Sequence, residues 1–133
     1  MIENTVFVLK QVCDKVIVVV GENYQKIHAK LKDDVIYSHQ SIPMGTLDAL
    51  ITTIPLLDDQ NISIIVPADI PYLDKETIEL IVDDYDKAKN CVLVVGMKVE
   101  NPKGYGRLKM KNDKLLKIIE EKEAIEEEKK INI

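Results

Sequence analysis

The chain has 133 residues, a length that suits one domain. Hydrophobic residues make up 46% of it and charged residues 31%, enough to form a buried core under a soluble surface. The net charge of −5 argues against broad nucleic-acid binding. The longest apolar run, residues 16–20, is far shorter than the roughly 20 residues that cross a bilayer. Residues 1–13 lack the apolar centre of a secretion signal, so we expect a cytoplasmic protein with no membrane partner.

Helices and strands alternate along the first 99 residues. Apolar positions at helical spacing predict helices over residues 2–13, 24–31, 46–54 and 74–85. Apolar, mostly β-branched runs predict strands over residues 16–20, 35–37, 62–66 and 91–99. Thr46 and Asp74 stand where a side chain can cap a helix. This order is typical of right-handed crossovers and of a mostly parallel sheet with helices on both faces.

The pattern changes after Val99. Residues 101–106 predict a loop, and the next two apolar runs, 107–110 and 115–119, predict a C-terminal hairpin about Asn112-Asp113. Residues 120–130 are highly charged and predict a solvated helix or a mobile segment. We expect residues 1–133 to form one domain.

The cysteines and histidines give weak signals. Cys13 and Cys91 lie in apolar surroundings without paired metal spacing, so buried thiols are favoured. His28 is interpreted as a helix-surface residue, and the role of His39 stays open. These residues predict no nucleophile–base pair.

Three segments are expected where ligands bind in open α/β sheets, beyond the carboxyl ends of the strands. In residues 40–46, a glycine before a helix allows close approach of an anion or a polar base edge, although an ordinary capped glycine loop explains this segment better when taken alone. Asp69 follows a predicted strand and can either hold Mg²⁺ or form an Asx-turn. Gly104-Tyr105-Gly106-Arg107 suggests a backbone shaped for a flat or phosphorylated ligand, or a simple turn.

Five motifs occur in an order that a known family shares. They are Gln40 with Gly45-Thr46, Ala68-Asp69-Ile70-Pro71, Pro102-Lys103-Gly104-Tyr105-Gly106-Arg107, residues 118–124 (IIEEKEA) and Ile131-Asn132. Together they resemble the N-acetylglucosamine-1-phosphate uridyltransferase family of sugar-nucleotide pyrophosphorylases. The third motif is the most specific, because the family carries Pro-Thr-Gly-Tyr-Gly-Arg there. The resemblance covers nearly the whole chain.

The resemblance implies a reaction and a set of ligands. A phosphate oxygen of N-acetylglucosamine-1-phosphate would attack the α-phosphate of UTP and release pyrophosphate, with Mg²⁺ as cofactor. The residues so implied are Gln40, Gly45 and Thr46 for the uridine, Asp69 for Mg²⁺, and Gly106, Glu120 and Asn132 for the sugar.

The chain departs from the family at both ends. The family's first strand, its Gly-x-Gly-Thr-Arg-Met loop and its Leu-Pro-Lys lysine do not occur here, and Ile133 precedes the second metal-binding residue. The resemblance therefore implies a Rossmann-like nucleotidyltransferase sheet, truncated at both ends and lacking its first strand. That strand lies inside the family's sheet, so its loss leaves a gap one strand wide, roughly 4.8 Å to each neighbour. The sheet must close up, or a homodimer or complementing chain must cover the edges.

Three functions remain open from the sequence. The first is a uridyltransferase-like domain that is weak or inactive alone. The second is a non-catalytic remnant that self-associates or binds a ligand. The third is a nucleotidyltransferase of another specificity whose phosphate loop comes from a second polypeptide.

Overall fold

The computed structural model describes residues 1–70, 72–88, 92–112 and 114–133. The chain divides into two compact units, residues 1–87 and residues 88–133. In the described part of the chain, no helix has the length and apolar character needed to cross a membrane.

Apart from residues 62–66, the first unit follows the predicted order of helices and strands. Its elements are α1 (Ile2–Leu9), β1 (Ile17–Val20), α2 (Tyr24–Leu31), β2 (Ile36–His39), α3 (Thr46–Ile51), a 3-10 turn (Ile54–Leu56) and α4 (Lys75–Ala88). Helix α1 ends four residues earlier than predicted. The N–H groups of Gln11 and Val12 bond three residues back instead of four, which tightens the chain into a turn before β1.

Strands β1 and β2 form a parallel pair whose register runs from Ile17 opposite Ile36 to Val20 opposite His39. The Val16 carbonyl accepts from Ile36 N–H at 3.0 Å, and the Val20 carbonyl accepts from Gln40 N–H at 2.8 Å. Backbone groups of a strand point alternately to its two sides. The backbone groups of Ile17 and Val19 therefore point away from β2, and form a free edge of β1.

The core of the first unit lies on one face of this sheet. Val6, Leu31 and Val35 are its buried centre, and partly buried apolar side chains pack around them: Ile2, Val16, Val18, Ile27 and Tyr37. These residues come from α1, β1, α2 and β2 and from the segments that flank the strands. Each fully buried aliphatic side chain contributes about 1.5–3 kcal/mol. The helical spacing seen in the sequence therefore does identify the inward faces of α1 and α2.

Helix α4 confirms the predicted cap and inner face. The Asp74 carboxylate accepts from Thr77 N–H at 2.7 Å, and the Thr77 side chain, followed by this N–H, holds the pKa of Asp74 below its ordinary value. Ile78 is 1% exposed, and Ile81, Val82 and Tyr85 on the same stripe are partly buried.

Residues 62–66 do not form the predicted strand. They belong to no ladder and, among the described residues, their backbone groups make no backbone hydrogen bonds. A strand exists only when another backbone is beside it, however β-branched its sequence. Residues 92–99 are likewise outside any strand, and Cys91 lies outside the described residues. The sheet is therefore a small parallel pair in the described part of the chain.

The second unit is built on an antiparallel pair. Strand β3 (Arg107–Lys111) pairs with β4 (Lys114–Ile119), with Arg107 opposite Ile119 and a register irregularity between Lys109 and Met110. Asp113, in the connection between the strands, lies outside the described residues.

Residues 120–130 form turns and a short 3-10 helix (Glu128–Lys130), so the solvated α-helix, one of the two predicted alternatives, is wrong. Ala124 is buried, and its N–H bonds to the Glu120 carbonyl at 3.1 Å. Ala124 is buried although most of its neighbours in the sequence are charged. The helix prediction relied on those charges and therefore missed the packing of Ala124.

Candidate functional site

The loop after β2 is closed by its own side chains. The Gln40 amide donates to Asp48 Oδ2 at 2.6 Å and to the Gly45 carbonyl at 3.4 Å. Gly45 has φ +114°, a conformation that favours glycine, and its carbonyl accepts from Ala49 N–H at 3.1 Å. The predicted Thr46 cap is wrong: Gly45 occupies the N-cap position, Thr46 is the first helical residue, and no side chain caps α3. Because the ψ angle of Gly45 is extended, the chain enters α3 directly after this residue.

A large cavity in the first unit joins two of the three predicted segments. Its volume is about 1540 Å³, and Gln40, Gly45 and Thr46 line it together with Pro67 and Ala68. Asp69 follows Ala68 directly and is exposed. Residues implied to bind uridine and the segment that carries the implied metal ligand thus border the same cavity.

The Asp69 side chain is exposed. Its carboxylate makes no hydrogen bond or ion pair with any residue that the structure describes, so the Asx-turn interpretation gains no support. The turn is closed instead by Ile70 N–H and the Pro67 carbonyl at 3.5 Å, and Pro71 lies outside the described residues. Among residues 1–70, 72–88, 92–112 and 114–133, no group of three His, Cys, Asp or Glu side chains could hold a metal ion.

The three residues implied to contact the sugar all lie in the second unit. A Cβ atom built on Gly106 would lie 3.9 Å from Glu120 Oε2 and 3.6 Å from Ile118 Cγ2, so Gly106 and Glu120 are adjacent. The Asn132 carbonyl accepts from Val99 N–H at 2.9 Å, and the next carbonyl accepts from Leu108 N–H at 2.8 Å. Asn132 therefore lies on a segment that is hydrogen-bonded to β3 at Leu108, two residues after Gly106.

Arg107 is the residue whose role sequence reasoning missed. It is 1% exposed, and its guanidinium donates to Glu121 Oε2 at 2.7 Å, to the Lys129 carbonyl at 3.4 Å and to the Tyr105 carbonyl. Glu121 Oε2 also accepts from Gly104 N–H at 3.2 Å. The Arg107–Glu121 pair therefore ties the glycine loop to residues 121–129. No local pattern in the sequence links Arg107 to a carboxylate fourteen residues later, so sequence reasoning could not reveal this pair.

The Glu121 carboxyl gives this region a pH dependence. The Arg107 hydrogen bond, followed by the Gly104 N–H, holds the pKa of Glu121 below its ordinary value of 4.5. When the pKa of a carboxyl is lower in the folded than in the unfolded protein, ionisation of that carboxyl stabilises the fold. The stabilisation is complete above the pKa of the unfolded state and is lost as the pH falls through the pKa of the folded state.

We expect Glu121→Gln to weaken that pH dependence. In the parent chain, amide-exchange protection of β3 and β4 should fall as pH drops below about 4.5. Glu128, whose pKa is also lowered, chiefly by Lys109, will keep part of the effect in the variant. Amide exchange across the acid range measures this, and identical pH profiles for parent and variant would contradict it.

The two histidines take part in one ring cluster of the first unit. The His28 ring lies 5.3 Å from Tyr24 and 5.4 Å from Tyr37, and the His39 ring lies 4.8 Å from Tyr24. The Tyr37 hydroxyl donates to the Lys32 carbonyl at 2.6 Å. These contacts account for His28 and His39 as packing residues at the α2–β2 contact.

The Cys13 thiol is half-buried and free. Burial, and then the Asp14 carboxylate, raise the pKa of Cys13.

The parallel pair β1–β2 with its flanking helices, and the glycine loop that lines the cavity, place the first unit in the α/β class. The model of the MobA-like NTP transferase domain matches residues 1–126, and the chain belongs to this family.

Three relatives show what the chain is similar to. The bifunctional protein GlmU of Thermoanaerobacter pseudethanolicus is 33% identical over 134 aligned positions, which cover 99% of this chain and 29% of that protein. A probable UDP-N-acetylglucosamine pyrophosphorylase of Acanthamoeba polyphaga mimivirus is 35% identical, over 95% of this chain and 52% of that protein. The GlmU protein of Fervidobacterium nodosum is 34% identical, over 96% and 28%. The chain thus spans between about a quarter and a half of the length of these relatives.

Proposed function

We propose that this chain contributes the uridine-binding and sugar-binding parts of a UTP:N-acetylglucosamine-1-phosphate uridylyltransferase. The reaction joins the sugar phosphate to the α-phosphate of UTP and releases pyrophosphate. Similarity to GlmU and to a probable UDP-N-acetylglucosamine pyrophosphorylase over nearly the whole chain supports this choice of substrates.

One observation carries the proposal: the Gln40–Thr46 loop and the segment before Asp69 line the same cavity. Gln40 is already oriented by Asp48, so its amide carbonyl can face a uracil N–H without a further ordering cost. Gly45 has no side chain that would separate a nucleobase from the backbone. Nothing lies within 4 Å of a Cβ atom built on Gly45, so the space beside it is open.

Mg²⁺ fits this site only as an ion shared with substrate. Magnesium is commonly held by one or two carboxylates while waters and phosphates supply its other ligands, and Asp69 offers one unpaired carboxylate. When bound, the ion would neutralise charge on the phosphates. Asp69 would fix the ion at the cavity, while Gly106, Glu120 and Asn132 would hold the sugar through a backbone surface, a carboxylate and an amide.

Activity of the chain by itself should be weak. Transfer between two anionic reactants needs several cations around the phosphates. The proposal is tested by pyrophosphate release from UTP and N-acetylglucosamine-1-phosphate with Mg²⁺, together with UTP binding by calorimetry. Slow release or Mg²⁺-dependent binding supports the proposal, and the lack of both at millimolar ligand overturns it.

We expect Asp69→Asn to weaken Mg²⁺-dependent UTP binding about fivefold. The substitution removes one unit charge beside the ion, and such a pair in water is worth about 1 kcal/mol. Asp59→Asn is the matched control, because Asp59 is an exposed aspartate of the same unit outside the predicted motifs, and it should leave binding unchanged. Equal losses in both variants would show a general charge effect and contradict the assignment of Asp69.

A non-catalytic, ligand-binding or self-associating module is the alternative. The large apolar-lined cavity favours it, because a chain with such a surface gains from covering it. Sedimentation velocity over a range of chain concentrations separates the two. A homodimer that neither binds UTP nor releases pyrophosphate would establish the alternative.

A further inference from the structure

Gln40 is held at the edge of the cavity by three hydrogen bonds. Its backbone N–H donates to the Val20 carbonyl at 2.8 Å, which continues the pairing of β1 with β2. Its side-chain amide nitrogen donates to Asp48 Oδ2 at 2.6 Å and to the Gly45 carbonyl at 3.4 Å. The backbone and the side chain of Gln40 are therefore both fixed before a ligand enters the cavity that this residue lines.

These contacts determine which end of the Gln40 amide is available to a ligand. An ionised carboxylate and a carbonyl only accept hydrogen bonds, so the NH₂ group of Gln40 must be the end that faces them. Both hydrogens of this group are then engaged, one by Asp48 and one by Gly45. Gln40 Oε1 makes no hydrogen bond with any residue that the structure describes. The side-chain atom that Gln40 offers to the cavity is therefore an acceptor.

Asp48 acts on Gln40 from outside the cavity. It lies in the first turn of α3 and is half-buried, and it is not a lining residue, whereas Gly45, Thr46 and Ala49 around it are. Within the described ranges it forms no ion pair, and Gln40 is the one side chain that bonds to it. An acid in the first turn also suits the helix dipole, but that role does not require the bond to Gln40.

Pyrimidine bases differ at the ring nitrogen that would meet this acceptor. Uracil carries an N–H group at N3, whereas cytosine has at N3 a nitrogen that only accepts. Gln40 Oε1 can accept from uracil N3–H, but with cytosine two acceptors would face each other and both would stay unpaired. A site built to bond an N–H group of its ligand strongly rejects an analogue that lacks this group. A Gln40 amide that could turn over would serve both bases.

We propose that Asp48 is a positioning residue that sets the base preference of the cavity, by holding the Gln40 amide with its acceptor toward the base. The inference rests on the proposed nucleotide site and goes beyond it, because it assigns the choice of uracil over cytosine to a residue outside the ligand space. A carboxylate at residue 48 permits one orientation of the amide. An amide at residue 48 can donate as well as accept, so it would permit both.

Asp48→Asn tests the inference, with UTP and CTP each titrated calorimetrically into the full chain in the presence of Mg²⁺. The parent should prefer UTP over CTP by about 30-fold or more, and the variant by about threefold or less. UTP and CTP carry the same charge, so the effect of removing the carboxylate charge cancels in this ratio. The affinity for CTP should rise in the variant, a gain that damage to the fold does not produce.

Two further variants show whether Asp48 acts through Gln40. In a Gln40→Leu chain there is no amide to orient, so adding Asp48→Asn should change the ratio of UTP to CTP affinity by less than about twofold. Asp59→Asn removes an exposed carboxylate of the same unit and should keep the preference of the parent. Circular dichroism reports whether each variant folds, and Asp48→Ser repeats the test if Asp48→Asn does not.

The possible failures are distinguishable. A parent that binds UTP and CTP equally, or an Asp48→Asn variant that keeps the parent's preference, would overturn the inference and leave the proposed function in place. A parent that binds neither nucleotide at millimolar concentration would overturn both.

Discussion

Replacing Arg107 with methionine should destabilise the second unit by about 2 kcal/mol, which is roughly a 30-fold loss of amide-exchange protection in β3 and β4. Methionine fills much of the same buried volume but has no donors. Three acceptors then lose their partner: the Glu121 carboxylate and the carbonyls of Tyr105 and Lys129. Arg107 is buried but the Glu121 side chain is 32% exposed, so water replaces only part of the lost hydrogen bonding. Hydrogen exchange of the full chain, resolved by residue, measures this effect.

Lys109→Met is the matched control for this experiment. Lys109 lies two residues further along β3, is about half exposed, and pairs with Glu128 at 2.8 Å. Lys109 is 48% exposed although Glu128 is 17% exposed, so the pair is partly solvated and protection should change by less than about fivefold. If both methionine variants lost protection equally, the destabilisation would come from the strand and not from the buried guanidinium.

Gly106→Ala should weaken binding of UDP-N-acetylglucosamine by about 10- to 100-fold without loss of stability. The added methyl group meets its neighbours at ordinary contact distances, the nearest being Ile118 Cγ2 at 3.6 Å, so the fold accepts it. It lies beside the Glu120 carboxylate, where the proposed sugar site needs space. A sugar hydroxyl pushed off this carboxylate loses a charge-assisted hydrogen bond worth about 1.5–3 kcal/mol. Calorimetric titration measures the affinity for UDP-N-acetylglucosamine, and thermal unfolding measures the stability.

Gly104→Ala is the control, and it should give the opposite result, a loss of stability without a loss of affinity. Gly104 has φ +90°, where an alanine is strained, and nothing lies within 4 Å of a Cβ built there. This variant should lose about 1 kcal/mol of stability and keep its affinity within a few-fold. Unchanged affinity in Gly106→Ala would contradict the sugar-binding role proposed for Gly106 and Glu120.

The sequence by itself determined the family, the four helices, the first two strands and the inward faces of α1, α2 and α4. Spacing alone identified Val6 and Ile78 as buried, and a local rule identified the Asp74 cap, because these features depend on residues close together in the chain. The ordered motifs likewise identified the family to which residues 1–126 belong.

Only the tertiary structure decided which predicted strands are paired and which charges are buried. Residues 62–66 have the composition of a strand, yet a ladder requires a neighbouring backbone that no local pattern can guarantee. From composition alone, an arginine is expected at the surface. Arg107 is buried instead, because it contacts Glu121 and residue 129, which are distant from it in sequence. Both outcomes depend on groups brought together across many residues, and that is information which a local periodicity does not contain.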